Sequence, residues 1–373
     1  MTIDIVQFNP LIGGETTLTK ILFKILVEMG HECRSITPSP SGRKLSGWQD
    51  LENQVCVKYK EFGECVKESD IVLFINSIHL KSKKKKEDQN KAFETVRVVF
   101  EQVKDKNLIF SEYGLHTMRL YAYEDIFKIL SEQNNRIVLF TSTKASIPIY
   151  ANMGYEAFLI RQPFDTDFYP PIDSPDSKEK LQICFNSRYT ANKRPQDILP
   201  FFNKYIKGDK SEFQLNLRGN VRDNCTIWYN LQEYFTDNRI VMHPYFEHMY
   251  QIYDKQDFCI YAGYTTLCEK GKMEYSILES IYYDIPLICE SDVFEHFQYD
   301  EYGITREQLR ECFIFLNQKN LDDVISGNLD GKPYAKKAKE LLLKDFLPDA
   351  IKRRIEIGLK AFDRPSRTNQ SLF

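Results

Sequence analysis

No Cys-x-x-Cys pair occurs in this sequence, although it holds nine cysteines in 373 residues. Their scattered placement excludes zinc-ribbon and thioredoxin-type spacings. Cys225, Cys259, Cys268 and Cys289 lie in or beside apolar runs, so free thiols in a reducing compartment are expected. Excess charge is small: 50 Lys and Arg stand against 53 Asp and Glu, a formal net charge of -3. No global field draws such a chain to nucleic acid or to a membrane, and any polyanion contact must come from a local patch. No apolar stretch approaches the roughly 20 residues of a membrane-spanning helix. No signal-peptide pattern is read at the N-terminus, and no repeat of solenoid length occurs. The Gly-x-Gly-x-x-Gly fingerprint is missing too, which counts against a dehydrogenase-type dinucleotide fold. These exclusions leave a soluble, cytoplasmic protein as the expectation.

What the sequence does contain is a strand–helix alternation that runs twice. Its length exceeds what one hydrophobic core usually serves. The 42% hydrophobic and 28% charged content is that of an ordinary globular chain. Residues 3–8 read as a strand and 10–15 as a turn holding Gly13 and Gly14. Residues 16–29 read as a helix, because Leu18, Leu22, Ile25, Leu26 and Met29 recur at helical spacing and Gly30 supplies a stop. A strand at 33–37 follows. Asp70-Ile71-Val72-Leu73-Phe74-Ile75 is apolar on both faces, as a parallel sheet requires. A helix at 92–103 and strands at 107–110 and 136–140 continue the series. A second series places strands at 181–185, 213–217, 239–242, 258–261 and 286–289.

Between the two series, residues 162–171 are proline-rich and aperiodic, and they read as a linker. The tail at 333–362 is helical, with the last ten residues frayed. The expected architecture is α/β, with two Rossmann-like, doubly wound domains facing across a cleft. A first domain spans 1–165 and a second spans 166–345. The segment 346–373 is expected to send a helix back toward the first domain. Open α/β sheets bind ligands at the carboxyl ends of their strands, so the cleft is the expected site.

Three stretches could carry chemistry. The first is Met273-Glu274-Tyr275-Ser276-Ile277-Leu278-Glu279-Ser280-Ile281, followed by Asp284-Ile285-Pro286. A helix beginning near Lys272 would aim its free amides at a diphosphate. Glu274, in its first turn, could touch a sugar, and Glu279, about two turns in, could accept from ribose hydroxyls. Five positions on a helix differ by roughly 140° in direction, so the two carboxylates cannot act side by side. Solvated surface glutamates remain the alternative. The second stretch, Asn186 to Pro195, holds Arg188 and Lys193. Fixed cations there would stabilise a departing nucleoside diphosphate more in the transition state than in the ground state, without a metal. A solvated basic loop is the alternative. The third is Ser111-Glu112-Tyr113-Gly114-Leu115-His116. There His116 could bind a hydroxyl and Glu112 could act as a base, although a lone histidine is more often structural. His243 and His248 share no one-turn spacing with a third ligand, and no metal site is expected.

Arg188 with Lys193, the segment Phe164-Asp165-Thr166-Asp167-Phe168-Tyr169-Pro170 and the glutamate helix before Asp284-Ile285-Pro286 carry a resemblance. They resemble the retaining GT-B glycosyltransferases of family 4, over nearly the whole chain. That family carries two glutamates eight positions apart, whereas Gly271 stands eight before Glu279. The form Glu274-Tyr275-Ser276-x-Leu278-Glu279 is instead similar to the DNA α-glucosyltransferase type of T-even bacteriophages. Thr19-Lys20, Gly30-His31-Glu32, Asp70-Ile71-Val72, Ile75-Asn76-Ser77, His116-Thr117 and Tyr169-Pro170-Pro171-Ile172-Asp173 follow in the same order. The resemblance implies retaining, front-face transfer of glucose or arabinose from UDP-glucose or UDP-arabinose. The acceptor would be 5-hydroxymethylcytosine, bare or already glycosylated, in phage double-stranded DNA inside an infected bacterial cell. It implies Arg188 and Lys193 as diphosphate ligands, Glu279 as ribose ligand, Glu274 at the donor sugar and His116 beside the reacting carbon. Gly13, Gly14 and Glu15 would line the acceptor side, with Gly14 also touching the donor. No metal, no membrane and a monomeric state complete the expectation.

A DNA surface has some independent support. Arg43 and Lys44 follow the strand ending near Thr37, and Lys81, Lys83, Lys84, Lys85 and Lys86 follow the strand ending near Asn76. Each phosphate neutralised by such a cation adds salt-dependent affinity. Reaching a base inside a duplex also requires extruding it, and Trp48 or Tyr113 could fill the gap. Lysine runs are also commonly solubilising loops. Two other functions are open: a family-4 transferase building a surface polysaccharide or lipid-linked glycan, and a GT-B scaffold without activity.

Overall fold

A computed structural model describes residues 1–8, 10, 14–75, 97–112, 126–173, 180–186, 195–206, 212–218, 232–243, 249–262, 273–290, 295, 297 and 299–364. The chain divides into two compact units. The first comprises Met1–Phe164 together with the chain from Phe346 onward, and the second is Asp165–Asp345.

The first unit is built on seven parallel strands: β1 (Thr2–Val6), β2 (Glu32–Ser39), β3 (Gln54–Lys58), β4 (Ile71–Ile75), β5 (Asn107–Glu112), β6 (Arg136–Thr141) and β7 (Glu156–Leu159). Their order is β3-β2-β1-β4-β5-β6-β7, so the winding reverses between β1 and β4. The central strands are apolar on both faces; all five residues of β4 are buried. Phe74, Phe100, Phe110 and Phe127 pack ring against ring, with the Phe74 and Phe110 centroids 5.0 Å apart. A charge is buried here as well. Asp4 in β1 is fully covered and accepts from Arg34 Nε at 2.8 Å and Nη2 at 2.7 Å in β2, and from Ser69. A buried carboxylate persists only when paired in this way.

Helix α1 (Gly14–Glu28) starts two residues before the position expected from the sequence, which moves Gly14 and Glu15 out of the turn and into the first helical turn. A glutamate there complements the positive end of the helix. Leu18, Ile21, Leu22, Ile25 and Leu26 form its buried face. The helix ends on Gly30 at φ +84°, with His31 N–H bonding Leu26 O at 3.1 Å, the Schellman arrangement that needs a left-handed residue. Helix α2 (Ser146–Asn152) joins β6 to β7.

The second unit has six parallel strands: β8 (Leu181–Asn186), β9 (Phe213–Arg218), β10 (Ile240–His243), β11 (Phe258–Tyr261), β12 (Leu287–Cys289) and β13 (Ile314–Phe315). The order β10-β9-β8-β11-β12-β13 places a second reversal between β8 and β11. The described helices of eight or more residues in this unit, together with one of seven, are α3 (Tyr275–Tyr282), α4 (Arg306–Cys312), α5 (Gln318–Ile325) and α6 (Lys332–Leu342). Ile183, Phe185, Phe213, Leu215, Leu217 and Ile260 are the centre of its core.

The helical tail expected over 333–362 holds two helices, one in each unit. Helix α6 stops at Leu342, and α7 (Pro348–Leu359) belongs to the first unit. Pro348 holds Leu347 extended at φ -70°, ψ 153° and is itself tolerated at the first helical position. Residues 92–96 of the expected helix at 92–103 lie outside the described residues; Arg97 to Phe100 is helical, with Arg97 bonded to Glu101 at 2.7 Å. Among the described residues no helix is long and apolar enough to cross a membrane.

Candidate functional site

The reversal in each sheet decides where a ligand can lie, because the loops leaving the two strands on either side diverge and open a crevice at their carboxyl ends. In the second unit those strands are β8 and β11. Chain leaving β8 at Asn186 carries Arg188 and Lys193 two and seven residues later; both lie outside the described residues. Chain leaving β11 at Tyr261 returns in helix α3, which holds both candidate glutamates.

Helix α3 begins at Tyr275, later than the start near Lys272 expected from the sequence. Glu274 is therefore the N-cap, extended at φ -76°, ψ 157°, rather than a first-turn residue. Its carbonyl oxygen accepts from Ile277 N–H at 3.0 Å and Leu278 N–H at 3.2 Å, while its side chain makes no capping bond. Met273 just before it is buried. The half-buried Glu274 carboxylate thus stands at the positive end of α3, whose first amides are free of helical partners. The helix closes on Asp284 at φ +56°, with Ile285 N–H bonding Ser280 O at 2.9 Å. Lys339 Nζ of α6 holds the Asp284 carboxylate at 2.7 Å and Tyr282 O at 2.8 Å.

Glu279 lies just over one turn into α3, not two, and it is 4% exposed. It is no solvated surface glutamate. Its Oε2 accepts from Tyr253 Oη at 3.0 Å, and Tyr169 Oη bonds the same carboxyl. Burial pushes its pKa up from 4.5 to about 7, against the opposing pull of the two tyrosine hydroxyls. Burial, with the Glu279 carboxyl second, likewise raises the Tyr169 phenol. Neither tyrosine was read as a site residue from the sequence. Tyr169 stood inside a quoted motif, whereas Tyr253 lies in a short 3-10 turn, Met249–Tyr253, with no motif to mark it.

His243 closes β10 and is tied into a polar network rather than a metal shell. Its Nε2 lies 2.7 Å from Asn216 Oδ1, and Asn216 Nδ2 reaches Gln182 Oε1 at 2.9 Å and Gln256 Oε1 at 3.1 Å. Among the described residues no group of three or more His, Cys, Asp or Glu could hold a metal ion.

In the first unit, Gly14 opens α1 and is exposed, and Glu15 is half-buried in its first turn. Thr16 and Thr19 of α1 bond the buried Gln7, which leaves β1, at 3.1 Å and 2.8 Å. This fixes the helix start against the reversal between β1 and β4. Arg43 and Lys44 lie in the exposed segment after β2. Ser39 Oγ pins that segment by bonding both N–H and O of Arg43. Gln49 N–H donates to Pro10 O at 2.6 Å, joining it to the chain leaving β1. Lys44 pairs with Asp50, whereas Arg43 makes no side-chain ion pair among the described residues. Trp48 corrects an expectation: it is 7% exposed and so belongs to the core rather than offering a ring to fill a base stack. Glu112 closes β5 beside Thr141; its side chain, with Gly13, Tyr113, His116, His248, Lys81, Lys83, Lys84, Lys85 and Lys86, lies outside the described residues.

No protein-family model and no curated protein matches the chain. Solved structures do. An α-glucosyltransferase in complex with UDP and a 13-mer DNA containing an HMU base superposes with a TM-score of 0.72 at 13% identity, over 96% of this chain and 100% of that one. Sucrose-phosphate synthase from Thermosynechococcus elongatus superposes with a TM-score of 0.67 at 11% identity, over 98% and 100%. Anabaena HepE in complex with UDP and glucose does so with a TM-score of 0.63 at 12% identity, over 97% and 100%. These neighbours are GT-B glycosyltransferases, and the two doubly wound parallel sheets of this chain have the GT-B fold.

Proposed function

We propose that the chain is a retaining, family-4-like glycosyltransferase of the phage DNA-modifying type. It moves glucose or arabinose from a UDP-sugar onto 5-hydroxymethylcytosine, or an already glycosylated form of it, in double-stranded DNA. The observation that carries this reading is topological. The two strands flanking the reversal of the second sheet lead into the two stretches that bear donor chemistry: Arg188 with Lys193 after β8, and Glu274 with Glu279 after β11. The likeness to an α-glucosyltransferase bound to UDP and DNA supports the same reading.

In this mechanism the second unit binds the donor. Arg188 and Lys193 grip the diphosphate, and their charge counts most when the bond to the sugar breaks and the bridging oxygen becomes anionic. Amides at the start of α3 add to that stabilisation. Glu279 accepts from the ribose hydroxyls, and Glu274 contacts the donor sugar. The first unit binds the acceptor. Gly13, Gly14 and Glu15 line it, with Gly14 also near the donor. His116 stands by the reacting carbon, and Glu112 lies on the acceptor side. Arg43, Lys44, Lys83, Lys84 and Lys85 meet DNA phosphates. The departing phosphate oxygen takes the proton of the incoming hydroxyl, so retention needs no enzyme nucleophile and no metal.

The test mixes hydroxymethylated and unmodified duplexes with UDP-glucose and UDP-arabinose and reads product mass. A gain of one hexose or pentose on hydroxymethylated DNA alone is the expected result. No mass gain with either donor, on bare or glycosylated hydroxymethylcytosine, overturns the reading.

A further inference from the structure

Tyr253 has one hydroxyl proton and faces two acceptors. Its Oη lies 2.9 Å from Ser276 O and 3.0 Å from Glu279 Oε2. A backbone carbonyl can only accept. If Glu279 is ionised, both neighbours compete for the single Tyr253 proton, and a carboxylate only 4% exposed is left with Tyr169 as its other donor. If Glu279 carries a proton, it becomes a donor itself and the competition ends. Glu279 then donates to Tyr253 Oη, Tyr253 donates to Ser276 O, and Tyr169 donates to the carboxyl.

Among the described residues, the groups around the carboxyl supply no compensating charge. Tyr253 and Tyr169 are the partners, and Tyr283, one turn along α3, sends its hydroxyl to Pro170 O at 3.0 Å. Of the elements packed on α3, α6 offers Lys339, whose amino group is engaged at the far helix end by Tyr282 O and Asp284. The turn Leu343–Asp345 offers Lys344 and Asp345, and β12 offers the buried Cys289 thiol. Among the described residues no cation figures among the causes of the Glu279 shift, which are burial and the two tyrosine hydroxyls.

We propose that donor binding is coupled to a proton at Glu279: the ligand-free protein holds Glu279 as a neutral acid, and a nucleotide ribose displaces that proton to solvent. The inference rests on the donor-site reading above. A ribose presents two vicinal hydroxyls, which are best accepted by a carboxylate, and their two donated bonds offset the cost of ionising the buried group. No covalent bond changes; the proton passes to the buffer. Tyr253 and Tyr169 are then positioning residues that aim the carboxyl and set the pH at which it opens to the ligand. Burial already lifts the pKa of Glu279 to about 7, so affinity should fall about tenfold per pH unit below that value.

Calorimetric titration of the full chain with UDP-glucose, at about pH 6 in two buffers of different ionisation enthalpy, tests this. UDP-glucose is the probe because its diphosphate diester takes up no proton near neutrality. Release of close to one proton per nucleotide bound is expected. Glu279→Gln should bind more weakly and lose that release. Tyr253→Phe leaves the titrating carboxyl in place, so it should keep the release. Binding heat without proton release in the wild type, or equal release in Glu279→Gln, overturns the coupling and leaves the donor site standing. Absence of any binding heat overturns the donor site and the coupling together. Should Glu279→Gln fail to fold, the wild type alone decides through its infrared difference spectrum. Loss of a carboxylic-acid band on binding supports the coupling, and an unchanged band sinks it.

Discussion

Arg136 sits over Phe362, its guanidinium carbon 5.5 Å from the ring centroid, and ties the two ends of the first unit together. Its Nη1 donates to Phe362 O at 2.8 Å and Arg364 O at 2.7 Å, and its Nη2 donates to Ala361 O. One planar cation at the start of β6 thereby satisfies the carbonyls with which the chain leaves α7. Lysine could not span this fork. Arg136→Ala should cost about 1–3 kcal/mol and speed hydrogen exchange around Ala361 while leaving the second unit unchanged. Exchange mass spectrometry with a urea melt checks this.

Gly358 lets α7 approach β6. A Cβ there would stand 2.5 Å from Phe140 Cε1 and 2.9 Å from Cζ, and Phe140 is 3% exposed with nowhere to turn. Alanine gains about 1 kcal/mol in helix propensity, but the overpacking costs about 1–3 kcal/mol. Gly358→Ala should therefore be neutral to destabilising, and Gly358→Leu clearly destabilising. A stabilised Gly358→Leu protein in the urea midpoint would contradict this packing.

Glu279 makes stability fall as pH rises. Its folded pKa, about 7, lies above the ordinary 4.5, so the folded state holds the proton more tightly than the unfolded chain. The penalty for ionising it is absent below about 4.5 and complete above about 7. Glu279→Gln removes the titrating group. The variant should match the wild type near pH 4 and exceed it by roughly 1–3 kcal/mol near pH 8. Denaturation midpoints at the two pH values decide it; equal differences at both would show that Glu279 ionises freely.

Arg43 and Lys44 should differ in DNA binding despite being neighbours. Lys44 is engaged by Asp50, whereas Arg43 is exposed and makes no side-chain ion pair among the described residues. Arg43→Ala and Lys83→Ala should each weaken binding and lower the slope of log affinity against log salt by about 1. Lys44→Ala should change it less. Gel retardation across a salt series measures all three.

Arg188→Ala and Lys193→Ala should each lower sugar transfer by about 100-fold or more, mostly in kcat, if their charge acts on the departing diphosphate. Steady-state kinetics with UDP-glucose and hydroxymethylated duplex reads the split. A change confined to KM would make them ground-state binders only.

Much of the fold is legible before any coordinates. The strands read at 70–75, 107–110, 136–140, 181–185 and 258–261 all fall on interior strands of the two sheets. The three strands that pattern reading omits, β3, β7 and β13, are all sheet edges. In β3, Gln54-Val55-Cys56-Val57-Lys58 mixes polar ends with a short apolar middle, so its pattern resembles a loop.

For the candidate site, residue type and order were enough to mark Glu274 and Glu279, because a helix after a doubly wound strand aims its start at the ligand side whatever packs behind it. They could not show that Glu279 is buried, nor that Tyr253 meets it from 26 positions away with its one proton shared. Sequence period encodes which face of a helix turns inward. The partner waiting there is supplied by remote chain, and with it the carboxyl's charge.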